Sequence, residues 1–365
     1  MLLQNAAIED NVETFAEMVR SSPPQDMSLL AFYYALDVIS QSTFGKRFET
    51  MRNPRHRWMC KHLERGNRHM YLQLAWPRLF KVLAIFFNEN RLTYPEYHEE
   101  SKMFLNLCHS HLEEGLKRKG QGEPIYELMK ADQPKEISQD ELYVDAFSFM
   151  RGGGDMVAVT IAAAFHYITQ DGDVLQRLTA EVRSTFGTSE TPFIGPKLES
   201  CRYLRACVDE ALRMAPPGPG VFWRTSSADL NIDGVRLPAG TDFGCSIFAL
   251  HYNEEIFPEP LSFRPERFLE AGARDGGFMP FVRGFRSCPA QKLAYPTILL
   301  PVARLVWEFD LSAVPQTTRK DPVPIKEYYR EVFGKNEPAL DQLYLQVDVF
   351  GSRIEGPVLR CAPHG

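Results

Sequence analysis

The chain has 365 residues, enough for one large domain or two small ones, and 44% of them are hydrophobic, an ordinary share for a folded protein able to bury a cofactor. Its formal net charge of −6 and pI near 5.9 argue against the basic surface that nucleic acid requires, so no nucleic-acid partner is expected. Seven cysteines, at 60, 108, 201, 207, 245, 288 and 361, are odd in number and scattered, without a CxxC pair; this fits neither a disulfide framework nor a zinc site and points to a reducing compartment.

In chain order, Met1 to Asp10 holds no basic stretch and no apolar run of the length that a signal peptide or membrane anchor needs. Helical spacing of apolar residues predicts a helix over Ser28 to Ile39, and another over Ser101 to Lys119 with Met103, Leu107, His111 and Leu116 along one side. Between them, residues 52 to 69 are crowded with Arg52, Arg55, Arg57, Lys61, Arg65 and Arg68, and the apolar stretch 71–87 follows. With Arg78 and Lys81 inside it, 71–87 is too short and too charged to span a bilayer; peripheral membrane contact is the most it allows, and a solvated helix beside a core helix is the simpler reading.

Ser138 and Glu141 have the spacing of a capping box and open a helix that can run to about Thr169. Its middle is Arg151-Gly152-Gly153-Gly154-Asp155, and each glycine costs a helix interior about 1 kcal/mol relative to alanine. From the residues alone, a loop joining two shorter helices is the better reading of this stretch. A further helix from Lys197 to Met214 sets Leu204, Val208 and Leu212 on one stripe and stops at Pro216-Pro217. Asp229 to Leu237 reads as a hairpin turning at Asp233-Gly234, and Thr241 to Leu250 as an extended piece. A last helix lies near Gln291 to Trp307, with strand-like segments at Leu343 to Phe350 and Pro357 to Arg360 behind it.

The most informative stretch is Phe281-Val-Arg-Gly-Phe-Arg-Ser-Cys288, a loop with one cysteine just ahead of a helix. A helix N-terminus with Arg286 nearby favours the anionic form of the sulfur, the form that binds iron. Gly284 lets the loop bend where a side chain would meet a flat macrocycle. This segment resembles the haem-binding signature of the cytochrome P-450 family, matching at Phe281, Gly284, Arg286 and Cys288, with Ala290 in place of the final glycine. Other elements stand in the family's order: Glu210-x-x-Arg213, the Phe263-Arg-Pro-Glu-Arg267-Phe268 segment, the glycine-rich helix ending in Asp155, and Trp223-Arg224.

The resemblance implies a mainly α fold with a small β portion, here a single domain over 1–365 that lacks the family's N-terminal strands and first helices. It implies haem b held by Cys288, propionates met by Arg286 and Arg224, and a buried triad of Glu210, Arg213 and Arg267. It turns the Gly152 to Asp155 stretch into part of a continuous helix, where Gly153 and Gly154 leave room for dioxygen and Asp155 organises protons. The family's usual threonine after that acid is Met156 here, which puts the proton route in question.

The implied activity is insertion of one oxygen atom from O2 into a hydrophobic small molecule, in the setting of fungal secondary metabolism. Electrons would come from NADPH through a separate reductase at the cytosolic face of the endoplasmic reticulum. Arg274, Arg283 and Lys292 are the candidates for a basic face that meets it. Met156 keeps open a rearranging or dehydrating catalyst that does not use O2, and the shortened front portion keeps open a non-catalytic remnant.

Overall fold

A computed structural model of the chain describes residues 2–21, 24–75, 79, 82, 95–117, 138–270, 272, 274–314, 347–348, 352–353 and 356–364. Helix α1 (Leu2–Ser21) buries Ile8, Val12, Phe15 and Val19, a stripe at helical spacing. After the short strand β1 (Gln25–Asp26), α2 (Met27–Phe44) starts where the Asp26 carboxylate accepts hydrogen bonds from the Ser28 and Leu29 N–H groups, and it ends at Gly45 in a left-handed conformation. Helices α3 (Trp58–Ala75) and α4 (Pro95–Lys117) follow. The expected line along α4 is rotated: Phe104, Cys108, His111 and Leu112 are buried, whereas Met103 is 53% exposed, because the 104/108/112 ridge is the one that meets Phe48 and Leu63.

Helix α5 (Gln139–Gln170) is continuous through its three glycines. Ser138 caps it reciprocally with Glu141: the Glu141 N–H donates to Ser138 Oγ at 3.2 Å, and the Ser138 N–H donates to Glu141 Oε2 at 2.8 Å. At 32 residues it runs about 48 Å, and it is the axis of the larger core, with Ile161, Ala163, Phe165 and Ile168 fully buried. The helix gains from tertiary packing of its buried positions what its glycines lose in propensity, which is why the loop reading fails.

Helices α6 (Gly172–Phe186), α7 (Pro196–Ser200) and α8 (Arg202–Met214) come next. The single helix expected over Lys197 to Met214 is therefore two, broken at Cys201. There Glu181 accepts the N–H groups of Tyr203 and Leu204, capping α8 from another helix.

The strands β2 (Arg224–Thr225), β3 (Leu230–Ile232), β4 (Val235–Leu237) and β5 (Asp242–Phe243) make two small antiparallel pairs, with Leu230 opposite Leu237 in the expected hairpin. The extended piece expected over Thr241 to Leu250 is a strand for two residues only. Ser246 then accepts the Ala249 N–H and starts the short helix α9 (Ile247–His251).

Helix α10 (Gln291–Glu308) feeds β6 (Phe309–Ala313), which pairs with β9 (Val358–Pro363); β9 also pairs with β1, so the front and back of the chain share one sheet. A two-residue pair, β7 (Val347–Asp348) and β8 (Ser352–Arg353), precedes β9, and the rest of the Leu343 to Phe350 expectation lies outside the described residues.

The stretch 71–87 lies mostly outside them too; of its described side chains, Tyr71, Leu79 and Val82 are exposed. Several cations just before it have protein partners: Arg52 bonds Glu17, Arg65 bonds Glu100, and Arg57 bonds the Thr50 and Met51 carbonyls over the ring of Tyr33. Among the described residues no helix is long and apolar enough to cross a membrane.

Candidate active site

The segment Phe281 to Cys288 is folded by its own backbone. The Cys288 N–H donates to the Phe281 carbonyl at 2.8 Å, and the Ser287 N–H to that of Gly284 at 3.0 Å, so the cysteine closes a compact loop three residues ahead of α10. Gly284 has φ +82°, a conformation that favours glycine, and a Cβ there would meet nothing within 4 Å. Phe281 packs its ring 5.2 Å from that of Tyr295 on α10, which anchors the loop to the helix behind it. Cys288 itself is half-buried, and Phe285 beside it is 97% exposed.

Behind the loop, α8 presents the buried Glu210 and Arg213 to the 3-10 turn Pro265–Leu269. Arg213 donates through Nε and Nη2 to the two oxygens of Glu210 at 2.8 Å each; Arg267 Nε donates to Glu210 Oε1 at 3.0 Å and the Arg264 N–H to the same oxygen at 2.9 Å. The remaining Arg213 donors reach the carbonyls of His251 and Ser262. Such a group holds three chain segments at fixed separation because every charge in it has a partner.

His251 extends this group towards the cysteine loop. It is fully buried, its Nδ1 lies 3.0 Å from the Arg213 carbonyl, and its Nε2 accepts the Met279 N–H at 3.0 Å, two residues before Phe281. The ring is therefore neutral with its proton on Nδ1, and burial pushes its pKa down to about 3. Sequence reading passes over it, because a histidine in Phe248-Ala-Leu-His251-Tyr carries no local sign of a partner 28 residues on.

On α5, the carboxyl of Asp155 accepts from Asn67 Nδ2 of α3 at 2.5 Å, and Asn67 Oδ1 in turn accepts from Arg151 Nε and Nη2 at 3.2 Å each. Desolvation among packed helices, only partly offset by Asn67 and Arg151, pushes Asp155 up to about 7. Asn67 is a second residue that sequence reading missed. Met156 brings no hydroxyl to this turn, and the Thr160 hydroxyl is spent on the Met156 carbonyl at 2.9 Å.

A Cβ on Gly153 would stand 2.7 Å from Ile39 Cδ1 and one on Gly154 2.8 Å from Leu36 Cδ2, so their bareness lets α5 and α2 approach closely. Gly152 is the member of the run that faces open space.

Arg224 bonds only the Trp223 carbonyl, at 2.9 Å, and Arg286 lies over the Phe285 ring at 5.8 Å; neither has an acidic partner among the described residues. Of the expected basic face, Arg274 is bonded to Asp209, Arg283 donates to the carbonyls of Arg274 and Asp275, and Lys292 is exposed.

The donor chemistry fits haem. Among the described residues no three His, Cys, Asp or Glu side chains gather round a metal position, so Cys288 has no protein co-ligands there for a bare ion. A macrocycle that brings its own four nitrogens needs one axial sulfur and cations for its carboxylates, and Cys288, Arg286 and Arg224 are of those kinds.

Comparison with known proteins agrees with this chemistry. The cytochrome P450 family pattern matches residues 3–332. Cytochrome P450 monooxygenase apf8 of Gibberella fujikuroi is 29% identical, with 99% of this chain and 97% of that protein covered. Cytochrome P450 monooxygenase lcsN of Purpureocillium lilacinum is 30% identical, over 90% of this chain and 96% of that protein. Cytochrome P450 monooxygenase poxM of Penicillium oxalicum is 29% identical over 84% of this chain, which spans 61% of its length. With the family pattern running through nearly all of the described core, from α1 to α10 and beyond, the chain belongs to the cytochrome P450 family of haem-containing oxidoreductases.

Proposed function

We propose that this chain is a haem-thiolate monooxygenase that inserts one oxygen atom from O2 into a hydrophobic small molecule, as a step in fungal secondary metabolism. The observation that carries the reading is the closed Phe281 to Cys288 loop ahead of α10, backed by the buried Glu210, Arg213 and Arg267 group. Haem b, when bound, supplies the redox centre for oxygen activation, with electrons from NADPH through a separate reductase at the cytosolic face of the endoplasmic reticulum.

The residues divide the work. Cys288 would supply the sulfur ligand to the haem iron; the loop hydrogen bonds and Gly284 hold that sulfur in place; Arg286 and Arg224 would supply guanidinium groups for the propionates. Pro289 offers no N–H to the sulfur, so one potential hydrogen bond that would withdraw its charge is absent. Asp155, held by Asn67 and pushed up to about 7, exchanges a proton at working pH and is the group that passes one inward. Arg283, Phe285 and Lys292 are exposed in and beside the loop, where a reductase would meet them.

Met156 supports a second reading, a haem-thiolate isomerase or dehydratase that consumes no O2, since the residue after Asp155 carries no hydroxyl and that of Thr160 is bonded to the Met156 carbonyl. The test is the absorbance change of the dithionite-reduced protein on adding carbon monoxide, followed by product formation with and without O2 and NADPH. A thiolate-type band that disappears in Cys288→Ser supports the haem-thiolate reading, and a colourless protein after refolding with haemin overturns it. Turnover that persists without O2 overturns monooxygenation in favour of the second reading.

A further inference from the structure

Glu210 has a neighbour whose charge the reading above leaves unused. Asp209 is fully buried one residue earlier on α8, turned about 100° round the helix from Glu210. Its Oδ1 accepts the Tyr295 hydroxyl at 2.8 Å and its Oδ2 accepts Arg274 Nε at 2.7 Å, while Arg205 Nε lies 3.1 and 3.0 Å from the two oxygens. The Arg205 guanidinium also covers the Tyr295 ring at 3.4 Å. Both guanidiniums keep about a third of their side-chain surface in solvent, so one carboxylate between two cations is not stranded.

These partners flank the cysteine loop from opposite sides in sequence. Ahead of it, the Arg274 carbonyl accepts Arg283 of the loop, whose other donors reach the Asp275 and Phe278 carbonyls. Behind it, the Tyr295 ring carries Phe281, and the Phe281 carbonyl is the acceptor that closes the loop on the Cys288 N–H. Burial, with Asp209 beside it, raises the Tyr295 pKa, so the hydroxyl remains a donor.

We infer that Asp209, gripping Arg274 and the Tyr295 hydroxyl, is a positioning residue that seats the Cys288 loop, a second clamp on α8 separate from the Glu210 group. It rests on the haem-thiolate reading for its consequence: with the clamp released, haem stays bound but the sulfur more readily loses its axial seat.

Tyr295→Phe is the decisive variant, because it keeps the ring, its packing on Phe281 and the Arg205 contact, and removes only the hydroxyl. In a urea series below the unfolding midpoint, the ratio of thiolate-type to non-thiolate carbon monoxide band should fall about tenfold or more relative to wild type, the size expected for one hydrogen bond to a buried charge. Total haem should be unchanged. Asp209→Asn should act in the same direction.

In haem-free protein, alkylation of Cys288, read by peptide mass, should be faster in Tyr295→Phe by a similar factor, with the unfolding midpoint little altered. Wild-type band ratios together with a wild-type Cys288 alkylation rate in Tyr295→Phe overturn the inference. A wild-type protein without any thiolate-type band overturns instead the haem-thiolate reading, and the alkylation rate still decides whether the clamp seats the loop.

Discussion

Replacing the three glycines of α5 one at a time by alanine should give three different stabilities, although all three changes remove the same helix-interior penalty. At Gly152 the new methyl meets nothing within 4 Å, so the variant should gain about 1 kcal/mol from helix propensity alone. At Gly154 it meets Leu36 Cδ2 at 2.8 Å, the free end of a side chain that can turn away, and the gain should be roughly cancelled.

At Gly153 the methyl meets Ile39 Cδ1 and Cγ1 at 2.7 Å and Cβ at 3.3 Å. A branching carbon fixed to the backbone of α2 cannot turn away, so the two helices must part, at a cost of about 1–3 kcal/mol that outweighs the gain. Urea midpoints of the haem-free protein should therefore fall in the order Gly152→Ala, Gly154→Ala, Gly153→Ala. Combining Gly153→Ala with Ile39→Ala should recover the part of the loss due to the collision, as a coupling of about 1–2 kcal/mol. Equal midpoints for Gly152→Ala and Gly153→Ala would refute the helix-contact explanation and return the glycines to a ligand-facing role.

Glu210→Ala leaves Arg213 and Arg267 inside without their shared carboxylate, a loss of about 3–5 kcal/mol, and should yield protein that takes up no haem; a soluble variant with full haem content contradicts this. His251 binds a proton readily when unfolded, near its ordinary 6.5, but only near 3 when folded, so the unfolded state holds more protons in between and stability should fall as pH drops from 6.5 towards 3. This contributes up to about 1.4 kcal/mol per pH unit, and His251→Gln should flatten the slope in urea titrations at several pH values.

Asp155 has the opposite sign: with its carboxyl raised from 3.8 to about 7, the stability of its neutral form is complete below 3.8 and is lost as pH rises through 7. Asp155→Asn should remove that decline, and the same midpoint-against-pH curve as wild type would count against a raised carboxyl.

The chemistry of the site was legible where one short segment carries all of it. Phe281, Gly284, Arg286 and Cys288 lie within eight residues, and the Ser138 and Glu141 cap is complete within four, so spacing along the chain already implies contact. The same holds for the Asp233-Gly234 hairpin, whose turn is set by local backbone conformation.

Other features are decided by segments far apart in sequence, and no local pattern announces them. Whether the glycines of α5 form a loop or a helix depends on Leu36 and Ile39, more than a hundred residues earlier. The break at Cys201 depends on Glu181 reaching in from α6 to take two backbone N–H groups. His251, Asn67 and Asp209 look like ordinary polar residues until folding puts Met279, Asp155 and Tyr295 against them. A buried polar group must find a partner or lose several kcal/mol, and which partner it finds is a property of three-dimensional packing. The amino-acid order by itself therefore determined the cysteine loop and the family, while the tertiary structure alone decided which glycines press on a helix and which partners the buried charges take.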